Sequence, residues 1–147
     1  MKDFWEWKAE NDLRSYTALR VSLENLPEQI ADLREQMTAL RSPGADSGGG
    51  NGGGGSADSR IINLLCLIDD KERTLKEAKR KVKQIQRALG CLNAEEKTVL
   101  QAFFVDGQKN AADNLAGKLG IERKAVYYRR SNAIEKFASA LYGPKIF

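Results

Sequence analysis

Apolar side chains recur along the first part of this chain at alternating spacings of three and four: Tyr16, Leu19, Leu23, Leu26, Ile30, Leu33, Met37 and Leu40. That interval holds one stripe against a partner over several helical turns, so the pattern predicts a heptad seam on a long helix. Pro27 falls inside it and can kink the helix or mark a boundary between two shorter ones, of which a kink is expected. Upstream, Phe4, Trp5, Trp7 and Leu13 continue the apolar face in bulkier form and are expected to cap the far end of the bundle. A second stripe is formed by Ile61, Leu65, Ile68, Leu75, Val82, Ile85, Leu89 and Leu92, with Glu72 and Ala78 at seam positions that lack a large apolar group.

Between the stripes lies a stretch at 42–59 that includes GGGNGGGGS, with little side chain to bury and high backbone entropy. It predicts a flexible loop, and a loop of that length lets the second helix return antiparallel to the first. An intramolecular helical hairpin over 1–90 is then the simplest way to bury both stripes.

From Leu92 onward the pattern changes to three short helices. Asn93 can cap the first, with Glu95 and Glu96 well placed for the helix dipole and Val99, Leu100, Phe103 and Phe104 as its apolar face, ending at Asp106-Gly107. Asn110 can cap the second, which runs through Leu115, Ala116 and Leu119 to a left-handed Gly120, after which Ile121 turns back into the core. The third starts near Glu122 or Arg123, carries Val126, Ala133, Phe137 and Leu141 inward, and stops at Gly143-Pro144. The run LAGKLGIERKAVYYRR has the small residue, leucine, turn glycine and locking apolar residue of a helix-turn-helix, in a domain spanning 91–147.

Composition sharpens this all-α reading. Charged residues make up 30% of the 147, which favours helices with narrow buried stripes over a thick multilayer core. The net charge of +4 is unevenly spread: the first 59 residues sum to −4 and the remainder to +8, so polyanion binding belongs to the C-terminal part. The run KERTLKEAKRKVKQIQR contributes to that excess, either as a solvated helix face or as a nucleic-acid contact. With no histidine, a histidine metal site, proton shuttle or hydrolytic triad is excluded, and GGGNGGGGS lacks the strand and helix context of a nucleotide-binding loop. An enzyme is therefore not expected, nor any metal or cofactor. Cys66 and Cys91 form no metal-binding or disulfide pattern and are expected to be buried thiols. No signal peptide or membrane span is legible, which predicts a soluble, cytoplasmic protein without a membrane partner.

If the third helix lies in a major groove, its N-terminal outward residues Arg123, Lys124, Tyr127 and Tyr128 reach base edges, with Arg123 able to grip guanine O6 and N7 together. Arg130, Ser131, Lys118 and Lys109 flank that face and are assigned to backbone phosphates.

The stretches LNAEEKTVLQAFFVDG and LAGKLGIERKAVYYRRSNAIEKFA resemble region 4 of bacterial sigma factors, and VYYRRSNAIEKFASALYG is similar to the end of the RinA and ArpU families of phage transcriptional regulators. The likeness covers roughly 91–143. It implies a sigma-like helix-turn-helix that binds double-stranded promoter DNA in a bacterial host cell and activates transcription, often of late phage genes, with RNA polymerase as a further partner. Two positions depart from the pattern. Glu122 stands where serine or threonine usually caps the helix, and Arg129 stands where sigma factors usually have an apolar residue, to be accommodated by snorkelling outward or pairing with an acid. The hairpin is a candidate surface for homodimerisation. Two other readings of the same pattern stay open: a phage small terminase subunit binding packaging-site DNA, and a helical scaffold or adaptor with no nucleic-acid role.

Overall fold

The computed structural model describes residues 3–41 and 57–145, and among these the chain is entirely helical, with no strand. Five helices follow in order: α1 (Phe4–Arg41), α2 (Ala57–Leu89), α3 (Ala94–Leu100), α4 (Ala111–Leu119) and α5 (Arg123–Tyr142). A π-helical turn, Gln101–Val105, extends α3. The expected loop at 42–59 falls outside the described residues over 42–56, while 57–59 already belong to the first turn of α2. Pro27 does not divide α1, which stays helical on both sides of it.

These helices make two compact units, one formed by residues 21–79 and the other by residues 1–20 together with 80–147. The division drawn from the sequence at residue 90 follows the chain; compactness divides both long helices instead.

In the unit of 21–79, α1 and α2 run antiparallel. Residues 36–40 lie beside 60–64, Lys71 Nζ donates to Gln29 Oε1 at 2.9 Å, and Arg34 is ion-paired with Glu72. Leu26, Ile30, Leu64, Ile68 and Ala78 are buried, with Leu23, Leu33, Met37, Leu40, Ile61 and Leu75 half-buried. The α1 seam is thus the predicted one. On α2 the seam shifts by one residue: Leu64 is buried and Leu65 is exposed, and Lys71 rather than Glu72 occupies the gap. The run IINLLCLI offers apolar groups on every side of the helix, so either a 4,3 or a 3,4 alternation fits it. The 3,4 frame, Ile61–Leu64–Ile68–Lys71–Leu75–Ala78–Val82–Ile85, keeps its spacing along the whole helix and lets the lysine keep its stem inward and its charge in water. Ile62, Leu65 and Leu67 consequently remain exposed, as does Cys66, contrary to the expected buried thiol. Cys91 is exposed too, in the turn after α2, its thiol 3.7 Å from the Arg87 carbonyl.

In the unit of 1–20 and 80–147, Leu13, Ile85, Val99, Leu100, Val126 and Phe137 are the largest fully buried side chains. Ala88 is buried and Leu89 only half-buried, so the α2 seam turns at its end toward the shorter helices. Leu13 continues the buried stripe of α1 as predicted, but Phe4, Trp5 and Trp7 are exposed and do not cap a bundle. Trp5 instead lies 5.0 Å from the Tyr142 ring at the end of α5. Asp12 accepts a hydrogen bond from the Tyr142 hydroxyl and pairs with Lys81 at 3.2 Å, and Lys81 also donates to the Tyr142 oxygen at 2.9 Å. Burial, followed by the Asp12 carboxylate, pushes the Tyr142 hydroxyl well above its ordinary ionisation range.

Candidate nucleic-acid interface

The short helices are placed by local signals that the sequence displays. Asn93 caps α3 in a reciprocal box: the Glu96 amide donates to Asn93 Oδ1 at 2.8 Å, and the Asn93 amide donates to Glu96 Oε1 at 2.9 Å. The bond from the Asn93 amide, with a further one from Lys136 at 3.2 Å, holds the Glu96 carboxyl below its usual range even though partial burial opposes it. Asn110 stands at the start of α4 but makes no side-chain cap bond, because its backbone (φ −114°, ψ 44°) is not in the extended conformation that aims a cap oxygen at the first turn. Gly120 ends α4 with φ 68°, and the Ile121 amide donates back to the Ala116 carbonyl at 3.1 Å. This bond closes the turn that delivers α5.

Val99, Ala102, Ala111, Ala112, Leu115 and Val126 form the core beneath that turn, with Phe103, Ala116, Leu119 and Ile121 packed around it. Small residues on α4 let it approach α5 closely, and Val126 is fully buried between them and α3. Farther along α5, Ala133, Ile134, Phe137 and Ala138 face inward and Leu141 is half-buried. Glu122 precedes α5 with no side-chain cap bond, in keeping with its poor capping chemistry. Arg129 is ion-paired with Glu95 of α3, the acid partner that an arginine on this half-buried flank requires.

With Val126 locked inward, the helical period turns Lys124, Tyr128 and Ser131 outward. Tyr128 is 70% exposed, and Lys124 and Ser131 are exposed and have no hydrogen-bond or ion-pair partner among the described residues. Arg123 sits at the rim. Its guanidinium lies 3.4 Å from the Tyr127 hydroxyl and 3.7 Å from Asp113, contacts that hold it in the charged form, Tyr127 more strongly than Asp113.

Tyr127 is 36% exposed and turned toward the π-helical segment, where its ring lies 6.0 Å from Phe103. Arg130 follows on the same flank, its guanidinium 4.9 Å from both the Phe103 and Tyr127 centroids. The structure therefore separates the base-contact candidates into an outward pair, Lys124 and Tyr128, and a rim pair, Arg123 and Tyr127, that bind each other. Among the phosphate candidates, Arg130 belongs to the rim cluster and Ser131 to the outward face. Lys118 lies elsewhere, in a shallow polar cleft with Lys97, Gln101 and Asn114, and Lys109 is exposed in the segment before α4.

Periodicity puts Phe103 with Val99, Leu100 and Phe104 on one inner face; those three are buried, whereas Phe103 packs against the same core but stays half-buried. The Asp106 amide reaches the Gln101 carbonyl at 2.8 Å, five residues back, which marks a π-helical turn containing both phenylalanines, their ring centroids 6.2 Å apart. No signal in the sequence marks where a helix widens.

Among the described residues no group of three or more acidic or cysteine side chains could hold a metal ion, and no helix is long and apolar enough to cross a membrane. Comparison with known proteins finds no matching family, no similar curated protein and no similar solved structure.

Proposed function

We propose that this chain is a non-enzymatic, sequence-specific DNA-binding transcription regulator. In this reading α4, the Gly120 turn and α5 act as a sigma region 4-like helix-turn-helix, and the antiparallel helices serve as its hairpin support. The carrying observation is the outward face at the start of α5, where a lysine and a 70% exposed tyrosine stand without partners on a helix whose opposite side is locked by Val126. A large aromatic ring left in water one turn into a helix has no packing role and suits contact with a thymine methyl or a phosphate. Arg123, Lys124, Tyr127 and Tyr128 are assigned to base edges and Arg130, Ser131, Lys118 and Lys109 to phosphates. The likeness to phage regulators of the RinA and ArpU type extends the proposal to promoter activation in a bacterial cytoplasm, with RNA polymerase as the protein partner.

The test is selection of bound duplexes from a random pool, followed by titration at several salt concentrations. Arg123→Ala and Tyr128→Ala are expected to relax base preference, by about 1–3 kcal/mol for a lost bidentate contact. Arg130→Ala should weaken all sequences alike and flatten the salt dependence. Absence of binding to any duplex at low salt would overturn the reading in favour of a scaffold without a nucleic-acid role.

A further inference from the structure

Among the described residues the Arg130 guanidinium takes no hydrogen bond and no ion pair, although it is half-buried and lies 4.9 Å from the centroids of two neighbouring rings. Its neighbour Arg129 spends its charge on Glu95, and Arg123 lies beside Asp113 and Tyr127. Arg130 alone of the three lies against two aromatic rings, both to one side of it, while its N–H groups are uncommitted. A guanidinium stacked in this way keeps its donors for a planar or tetrahedral anion, and loses less rotamer freedom on binding than a solvated arginine does.

We propose that Phe103 is a positioning residue of the DNA interface: packed against the core at the π-helical turn, its ring joins that of Tyr127 to hold Arg130 and aim that guanidinium at a DNA phosphodiester oxygen. The proposal rests on the nucleic-acid reading above. The ligand is the phosphate backbone rather than a base, because the rings hold the guanidinium on the flank of α5 and leave the outward face to Lys124 and Tyr128.

The experiment uses the full chain and a fluorescent 20-base-pair duplex, titrated by anisotropy across a series of NaCl concentrations, with thermal melting of each variant alongside. Phe103→Leu keeps an apolar group against the core and removes the ring. It should weaken binding about fivefold, as expected for loss of one cation–π hold. The slope of log affinity against log salt should fall by up to about 0.9, the share of one phosphate contact. Phe103→Trp should restore both, and Phe103→Leu combined with Arg130→Gln should bind no worse than Arg130→Gln alone, because the ring acts through the guanidinium. A purely structural role would lower the melting temperature and would show no such dependence on Arg130. Wild-type binding that Phe103→Leu leaves unchanged, or additive losses in the double variant, would overturn the inference and leave the DNA reading standing. A wild-type chain that binds no duplex would overturn both.

Discussion

At the scale of single residues, the cap of α3 joins a local bond to a tertiary one. Asn93 and Glu96 cap α3 reciprocally, and the same carboxylate takes a bond from Lys136 of α5, so one side chain secures both the start of a helix and its packing against another. Asn93→Ala is expected to destabilise the fold by about 1 kcal/mol, read as a shift in chemical denaturation midpoint with unchanged slope. Because its carboxyl ionises more readily in the fold than in the unfolded chain, Glu96 contributes stability above its ordinary pKa of about 4.3 that disappears as pH falls through its folded value. Glu96→Gln should therefore flatten the acid limb of a stability–pH profile, and an unaltered limb would remove Glu96 from the account. Much at this scale is legible in advance: the cap, the dipole-facing acids and the two ways open to Arg129, snorkelling outward or pairing with an acid, follow from residue type and position. The identity of that partner, Glu95, does not, since it lies thirty-four positions away.

Among the elements, the α4–turn–α5 unit shows how little sequence is needed to fix a geometry. Gly120 has φ 68°, in the left-handed region, and a Cβ built there would meet nothing within 4 Å. Gly120→Ala should thus cost only backbone strain, about 1–2 kcal/mol, and should lower thermal stability without altering the native fold by circular dichroism. A loss well above that would mean that the turn is constrained by more than its dihedral angle. The register of α2 was less legible than this turn. Eight consecutive residues, only one of them polar, admit two seam frames, and the choice falls on the partner helix, which accepts Leu64 and Lys71 and excludes Leu65 and Glu72. The widening of α3 after Leu100 was not legible at all, because the sequence around it is ordinary helix-forming sequence.

Across the whole molecule, the first twenty residues belong to the same compact unit as the last sixty-eight. Asp12, Lys81 and Tyr142 meet although they come from the start of α1, the end of α2 and the end of α5, with Lys145 adding a further pair to Asp3 at 3.4 Å. The Tyr142 hydroxyl is held neutral beyond its usual range, so its contribution is complete below pH about 10 and is lost as pH rises toward the folded value. Alkaline titration of stability should show a decline starting near pH 10 that is shallower in Tyr142→Phe; matching profiles would mean that the cluster contributes nothing to holding these segments together.

The sequence by itself determined the helices, the Asn93 cap, the left-handed turn and the outward placement of Lys124 and Tyr128, because each depends on interactions within about four residues or on a periodicity repeated over many turns. Only the tertiary structure decided which stripe of α2 is buried, where Trp5 and Tyr142 rest, and that Phe103 lies against Arg130. Those outcomes depend on contacts between residues far apart in the chain, where several pairings satisfy the same local chemistry and shape selects among them.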